Sequence, residues 1–341
     1  MLNTIYQLAR PRQFELAFQD IEMDDEQVIV RPTYLSICHA DQRYYQGLRP
    51  KEIMKQKLPM ALIHEGIGKV IYDPTGTFAI GDTVVMIPNR PVEQDDYIAE
   101  NYLRTSKFCA SSVNGFLQEY VQALPDRFVK LPEGINPAIA AFTEIVSVSY
   151  HAVSRFIGFS HARRDTIAVW GDGNLGYITS LILRKMLPEA KIYIFGVIEN
   201  KLADFTFADG TYQVMDIPAD MTFDHAFECV GGNAAPVAIN QIIDYIKPEG
   251  TISILGVTED NAPINTRMIL EKGLRLFGSS RSGRSDYEGL LELYEKNPDM
   301  ISYLENIMGA EVVVRSIKDI TTAFEMDIHK MMGKTVMVWE E

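Results

Sequence analysis

Only three of the 341 residues are cysteine (Cys38, Cys109 and Cys229), and they lie far apart. That is too few and too scattered for a disulfide framework, and it favours a reducing compartment. Basic residues are also in deficit: 32 Lys and Arg stand against 46 Asp and Glu, a net charge of −14. A surface of that sign argues against nucleic acid and anionic membranes as partners. Any anionic small substrate would then need a local cluster of Arg or Lys. Long apolar runs are missing as well. The N-terminal MLNTIYQLARPRQFELAF has no apolar block behind its charges and is not expected to be a secretory signal. The most apolar-leaning stretch, Pro137 to Val153, is interrupted by Glu144 and several Ser and Thr, so no membrane span is expected. Internal repeats and low-complexity linkers are absent too. A soluble, cytoplasmic protein is expected.

At about 150 residues per domain the length suggests two domains. The first 135 residues read as short strands: QVIVRPTYLS, EGIGKVIYD and DTVVMIP are rich in β-branched residues and bounded by Gly, Pro and Asp. Near Ala138 the texture changes. Pro137–Val153 has helical character, and strands TIAVW (166–170), KIYIF (191–195), FDHAFE (223–228), TISILG (251–256) and LRLFG (274–278) then alternate with helix-length segments such as Leu175–Leu187 and Ala234–Ile246. Alternation of this kind predicts a parallel sheet covered on both faces. KTVMVW (334–339) reads as a final strand. The simplest architecture is a β-rich domain interrupted by a doubly wound α/β domain.

Gly171-Asp172-Gly173-Asn174-Leu175-Gly176 fits G-x-G-x-x-G and stands between a predicted strand and a predicted helix, the context a dinucleotide site demands. The first glycine permits a tight turn, the second admits a pyrophosphate to the backbone, and the third lets helix and strand pack closely. NAD-binding versions place a carboxylate near the end of the next strand, to take the ribose 2′-hydroxyl. Here that position is Gly196, and Lys201 follows five residues on, which favours NADPH. The alternative is that Lys201 is a solvated helix residue and Glu199 takes the ribose.

Cys38 lies in Ser36-Ile37-Cys38-His39-Ala40-Asp41, His64 and Glu65 in Ile63-His64-Glu65-Gly66, and Glu144 in an apolar stretch about Phe142-Thr143-Glu144-Ile145. Singly, these read as a small buried thiol, a satisfied histidine and a helix carboxylate. Together they supply S, N and O donors, a mixed set that suits zinc with a position left open for water or substrate. Asp41 is a candidate partner for the ligand imidazole.

These segments resemble the zinc-dependent medium-chain dehydrogenase/reductases over essentially the whole chain: Cys-x-x-Asp at Cys38–Asp41, His-Glu-Gly at His64–Gly66, Gly-Asp-x-Val at Gly81–Val84, and the fingerprint at Gly171–Gly176. RPTYLSICHADQRYYQG, LPMALIHEGIG, WGDGNLGYIT, FDHAFECVGG, INQIIDYIKPEG, LEKGL and GSSRSG narrow the resemblance to the bacterial ribulose-5-phosphate reductases of that family. The resemblance implies a GroES-like catalytic domain over 1–147 and 281–341, with a Rossmann NADP-binding domain over 148–280. It implies one catalytic Zn2+ on Cys38, His64, Glu144 and, variably, Glu65. The expected reaction is NADPH-dependent reduction of D-ribulose 5-phosphate to ribitol 5-phosphate for CDP-ribitol and wall teichoic acid, in the cleft between the domains. A homodimer is expected by analogy, and association with ribitol-5-phosphate cytidylyltransferase is a further implied partnership.

Two departures from the family pattern stand out. Between Pro88 and Ser112 there is only Cys109, so the four-cysteine structural zinc of many members is not expected. The Ser or Thr that relays a proton in related alcohol dehydrogenases is replaced by Ala40, leaving zinc-bound water, Glu65, Tyr44 or His39 as candidates. Arg43, Arg281 and Arg284 are candidates for the substrate phosphate, since Arg can hold it bidentately. Two rival readings remain: an NAD-linked polyol or polyol-phosphate dehydrogenase, and a non-catalytic NADPH-binding scaffold.

Overall fold

The computed structural model describes residues 1–330 and 333–339. The chain divides into two units, Met1–Ile145 with Ser282–Glu341, and Val146–Arg281. Among the described residues no helix is long and apolar enough to cross a membrane.

The first unit is built on β-sheets. A seven-stranded sheet runs Phe128–Lys130, Thr83–Met86, Glu65–Tyr72, Val28–Ser36, Lys334–Trp339 and Met308–Val314 in spatial order, with Val121–Ala123 also paired to Val28–Ser36. A hairpin of Leu2–Arg10 and Gln13–Asp20 joins Met60–Ala61 in a three-stranded sheet. Val28–Ser36 contains Pro32, which cannot donate to the ladder, and the pairing with Glu65–Tyr72 shifts register between Pro32 and Tyr34. Its alternate residues Val28, Val30 and Leu35 enter a core with Leu8, Leu62, Val84, Met86, Phe116, Phe128 and Phe324, all buried. The expected helix over Pro137–Val153 forms as two, Pro137–Ala140 and Thr143–Phe159.

The second unit is a six-stranded sheet in which every pair is parallel. In spatial order its strands are Gly210–Gln213, Lys191–Gly196, Thr166–Trp170, Phe223–Glu228, Ile246–Ile254 and Arg275–Gly278. Numbered along the chain this is 3-2-1-4-5-6, the doubly wound dinucleotide-binding order, whose switch point falls beside the first strand. Residues of Thr166–Trp170 and Phe223–Glu228 are almost all buried, as helix-covered parallel strands require. Trp170 stacks on Phe195 at 4.2 Å between centroids, and Ile239, Ile242 and Ile243 of the helix Ala235–Tyr245 close one face. The strand Gly210–Gln213 escaped the sequence reading. It is a four-residue edge strand with no fully buried residue, so it lacks the apolar run that marks its neighbours.

Candidate active site

Strand pairing assembles the first half of the site. Val28–Ser36 is flanked on one side by Glu65–Tyr72, with Ser36 opposite Glu65, and on the other by Lys334–Trp339, with Ser36 opposite Val336. Ile37 donates its N–H to Thr335 O at 2.9 Å, and Cys38 then caps the helix His39–Tyr45. Residues 38, 64, 65 and 334 thereby converge at one end of three adjacent strands. The ligand atoms of Cys38, His64 and Glu65 all lie within 4.8 Å of one another.

His64 follows Ile63, whose φ of +71° is costly for a β-branched residue. The surroundings hold it there. Ile63 O accepts from Phe116 N at 2.7 Å, Leu62 O accepts from Leu117 N at 3.1 Å, and Ile63 N donates to Asp41 Oδ1 at 2.9 Å. The other Asp41 oxygen accepts the Cys38 N–H at 3.1 Å, and His64 Nδ1 lies 3.6 Å from Asp41 Oδ1. One buried carboxylate therefore positions both the thiol-bearing residue and the imidazole. That is the place a ligand histidine's outer partner takes.

The sequence reading missed Lys334. Its ammonium is 3% exposed and donates to Glu65 Oε1 at 2.8 Å, across 269 residues of chain. Glu65 is fully buried, and its Oε2, though within ion-pair distance of the same ammonium, has no hydrogen-bond partner. Burial would lower the Lys334 pKa, but Glu65 and Cys38 hold it above the usual value. Nothing in the local sequence GKTVMVW marks this lysine; only the strand register places it.

Glu144 stands outside the compact trio but shares its field. In the first turn of Thr143–Phe159 and 6% exposed, it is pushed up to about 7 by burial, with His64 opposing and Glu65 adding. Burial likewise raises the Cys38 thiol. Burial would lower His64, yet Asp41 and Cys38 carry it well above the ordinary imidazole value. One carboxylate oxygen there, Glu65 Oε2, is without a hydrogen bond. A thiol, an imidazole and a carboxylate at this spacing fit a divalent zinc ion.

The fingerprint loop has a matching geometry. Gly171 adopts φ +128°, and a Cβ there would meet Cys229 at 2.9 Å. A Cβ on Gly176 would sit 2.0 Å from Gly171 O, whereas one on Gly173 meets nothing within 4 Å. The two outer glycines are thus demanded by packing, and Gly173, which caps the helix Asn174–Met186, leaves open space at its N-terminus, as a phosphate held by a helix N-terminus requires. Asn174 and Leu175 are half-buried in that first turn.

At the end of Lys191–Gly196 the structure corrects the sequence reading. The position is not without a carboxylate, because Asp172 fills it from the fingerprint itself. Asp172 Oδ2 accepts from Val197 N and Ile198 N, both at 2.8 Å, and a Cβ at 196 would lie 2.6 Å from Asp172 Cβ. Gly196 is glycine because Asp172 packs on it, and two backbone amides offset the Asp172 charge. Lys201 is half-buried on the short helix Glu199–Leu202.

Of the three candidate arginines, Arg284 is also corrected. Its guanidinium donates to Pro125 O (3.3 Å), Phe128 O (3.0 Å) and Glu288 Oε1 (2.8 Å), so it ties loops together. Arg281 is half-buried with φ +59°. Arg43 is half-buried on the helix that Cys38 caps. Cys109 is buried, and Cys229, also buried, has its thiol pushed up by burial and by Glu228.

A doubly wound nucleotide sheet and a β-rich unit bearing a thiol–imidazole–carboxylate cluster define a zinc-binding dehydrogenase. Residues 24–133 match the family model described as alcohol dehydrogenase GroES-like domain, and residues 203–296 that described as zinc-binding dehydrogenase. The chain is 53% identical to the ribulose-5-phosphate reductase of Bacillus spizizenii, covering all of both chains, and 51% identical to ribulose-5-phosphate reductase 1 of Staphylococcus aureus, covering 99% of each. It superposes on crystalline S. aureus TarJ in complex with NADPH with a TM-score of 0.90 at 46% identity, covering 100% of each chain. The chain belongs to the ribulose-5-phosphate reductase family of zinc-binding dehydrogenases.

Proposed function

We propose that the protein reduces D-ribulose 5-phosphate to D-ribitol 5-phosphate with NADPH and one zinc ion, supplying ribitol for CDP-ribitol and wall teichoic acid. The observation that carries this reading is the convergence of Cys38, His64 and Glu65 within 4.8 Å in a chain so similar to named reductases over its full length. Zinc, when bound, supplies polarisation of the ketone oxygen, and the reduced nicotinamide supplies hydride.

The chain's own residues prepare that chemistry. Cys38 and His64 hold the metal, with Asp41 fixing the imidazole and the Cys38 backbone together. Lys334 offsets the charge of Glu65 and competes for its carboxylate, so Glu65 would ligate a bound metal variably. Glu144 is a fourth donor placed at the margin. Gly171–Gly176 seats the pyrophosphate of NADPH in the Val146–Arg281 unit, and Lys201 lies on the helix after the second strand, where a 2′-phosphate is recognised. The product is the substrate of ribitol-5-phosphate cytidylyltransferase, and we place the protein in the cytoplasm as a homodimer able to associate with that enzyme.

Steady-state rates of the zinc-loaded protein with NADPH and NADH, each against ribulose 5-phosphate, ribulose and a hexitol phosphate, test the reading. NADPH oxidation driven by ribulose 5-phosphate is expected to dominate. A preference for NADH with a polyol phosphate would replace it with the oxidative polyol dehydrogenase reading. Absence of turnover in zinc-replete protein would leave a nucleotide-binding scaffold.

A further inference from the structure

In a chain of net charge −14, several cations gather around one short helix next to the metal ligands. His39 and Arg43 stand one turn apart on His39–Tyr45, directly after Cys38. Arg49 lies 5.1 Å over the ring of Tyr44, on the same helix, which restrains its guanidinium. Gln42 donates to Phe324 O and to Asp327 Oδ2, both at 2.9 Å, tying this helix to Ile317–His329. Asp327, itself 6% exposed, also holds Lys330, the residue that ends the second helix. The helix that bears Arg43 starts directly after Cys38, so the cation cluster adjoins the metal cluster.

We propose that Arg43, Arg49 and Lys330, grouped about the helix His39–Tyr45, bind the phosphomonoester of the substrate and so select a sugar phosphate over the free sugar. The proposal rests on the reductase reading above and adds the residues that read its phosphate. Arg43 is five residues beyond Cys38, about 7.5 Å along a helix axis. In ribulose 5-phosphate three carbons and an ester oxygen separate the ketone carbon from phosphorus, a span of the same order. Arginine offers the planar fork that matches phosphate, and Lys330, steadied by Asp327, adds a point charge.

The test uses the zinc-loaded enzyme and its Arg43→Gln, Arg49→Gln and Lys330→Met variants. The readouts are kcat/KM for ribulose 5-phosphate and for ribulose, and inhibition by inorganic phosphate. Each lost charge-assisted hydrogen bond is expected to lower the ratio of the two specificity constants about 10- to 100-fold, through KM for the phosphorylated sugar, and to weaken phosphate inhibition. Arg43→Lys is expected to recover part of the ratio. A parallel loss on both sugars, or an unchanged ratio, would overturn the proposal. If the parent enzyme reduces neither sugar while inorganic phosphate still raises its Tm and fails to do so in the variants, the reductase reading falls and the anion site stands. Turnover on ribulose 5-phosphate with no phosphate effect in any variant overturns the anion site alone.

Discussion

The ammonium of Lys334 and the carboxylate of Glu65 form a buried ion pair at 2.8 Å beside the Cys38 thiol. Neither charge has water to fall back on, so removing one leaves the other stranded. Lys334→Met is expected to destabilise the metal-free protein by about 3–5 kcal/mol. Zinc would then recover more stability in the variant than in the parent, because it replaces the lost ammonium as countercharge for Glu65. Thermal unfolding with and without zinc checks this. An identical zinc-induced rise in Tm in both proteins would contradict the role given to Lys334.

Asp172 and Gly196 are coupled by contact. Gly196→Ala places a methyl 2.6 Å from Asp172 Cβ and is expected to cost about 1–3 kcal/mol and raise KM for NADPH. Combined with Asp172→Ala the penalty should shrink, giving a coupling energy of about 0.5–3 kcal/mol in a double-mutant cycle. Strictly additive effects would show that the two residues act separately.

Arg284 is expected to serve the fold. Arg284→Ala removes hydrogen bonds to two backbone carbonyls and should lower stability by about 1–3 kcal/mol while leaving KM for ribulose 5-phosphate nearly unchanged. Chemical denaturation and steady-state kinetics on the same preparation separate the two effects, and a raised KM with unaltered stability would return Arg284 to the phosphate site.

Acid should act through His225. Its Nδ1 accepts from Thr251 N at 3.1 Å and its Nε2 faces Arg163 O at 2.9 Å, so the folded state holds it neutral. Burial, reinforced by His161, depresses its pKa to about 4. The unfolded chain takes up the proton near 6.5, and the folded protein only near 4. Stability from this group is therefore complete above pH 6.5, declines as pH falls, and levels off below 4, a loss of up to about 3 kcal/mol. His225→Gln should flatten the Tm profile between pH 4 and 6.5; an unaltered slope would assign acid sensitivity elsewhere.

The strands and the fingerprint of the second unit are legible because buried parallel strands are continuous apolar runs punctuated by glycine, as at Thr166–Trp170 and Gly171–Gly176. Cys38, His64, Glu65 and Glu144 are nameable as chemistry, but the convergence of the first three depends on strand register across distant segments, and Glu144 stands outside that trio on a helix. Lys334 is invisible for that reason: its neighbours Thr335 and Val336 read as an ordinary strand, and only pairing with Val28–Ser36 brings it to Glu65. Asp172 was hidden differently. A carboxylate was sought at the end of the second strand, while it reaches that place from the loop after the first.

Zinc-edge X-ray absorption of the loaded chain, before and after Cys38→Ser, bears most directly on the central claim. One sulfur with nitrogen and oxygen neighbours in the parent, and loss of that sulfur in the variant, is the expected result. A zinc shell without sulfur, with several sulfurs, or unaffected by Cys38→Ser would contradict the account.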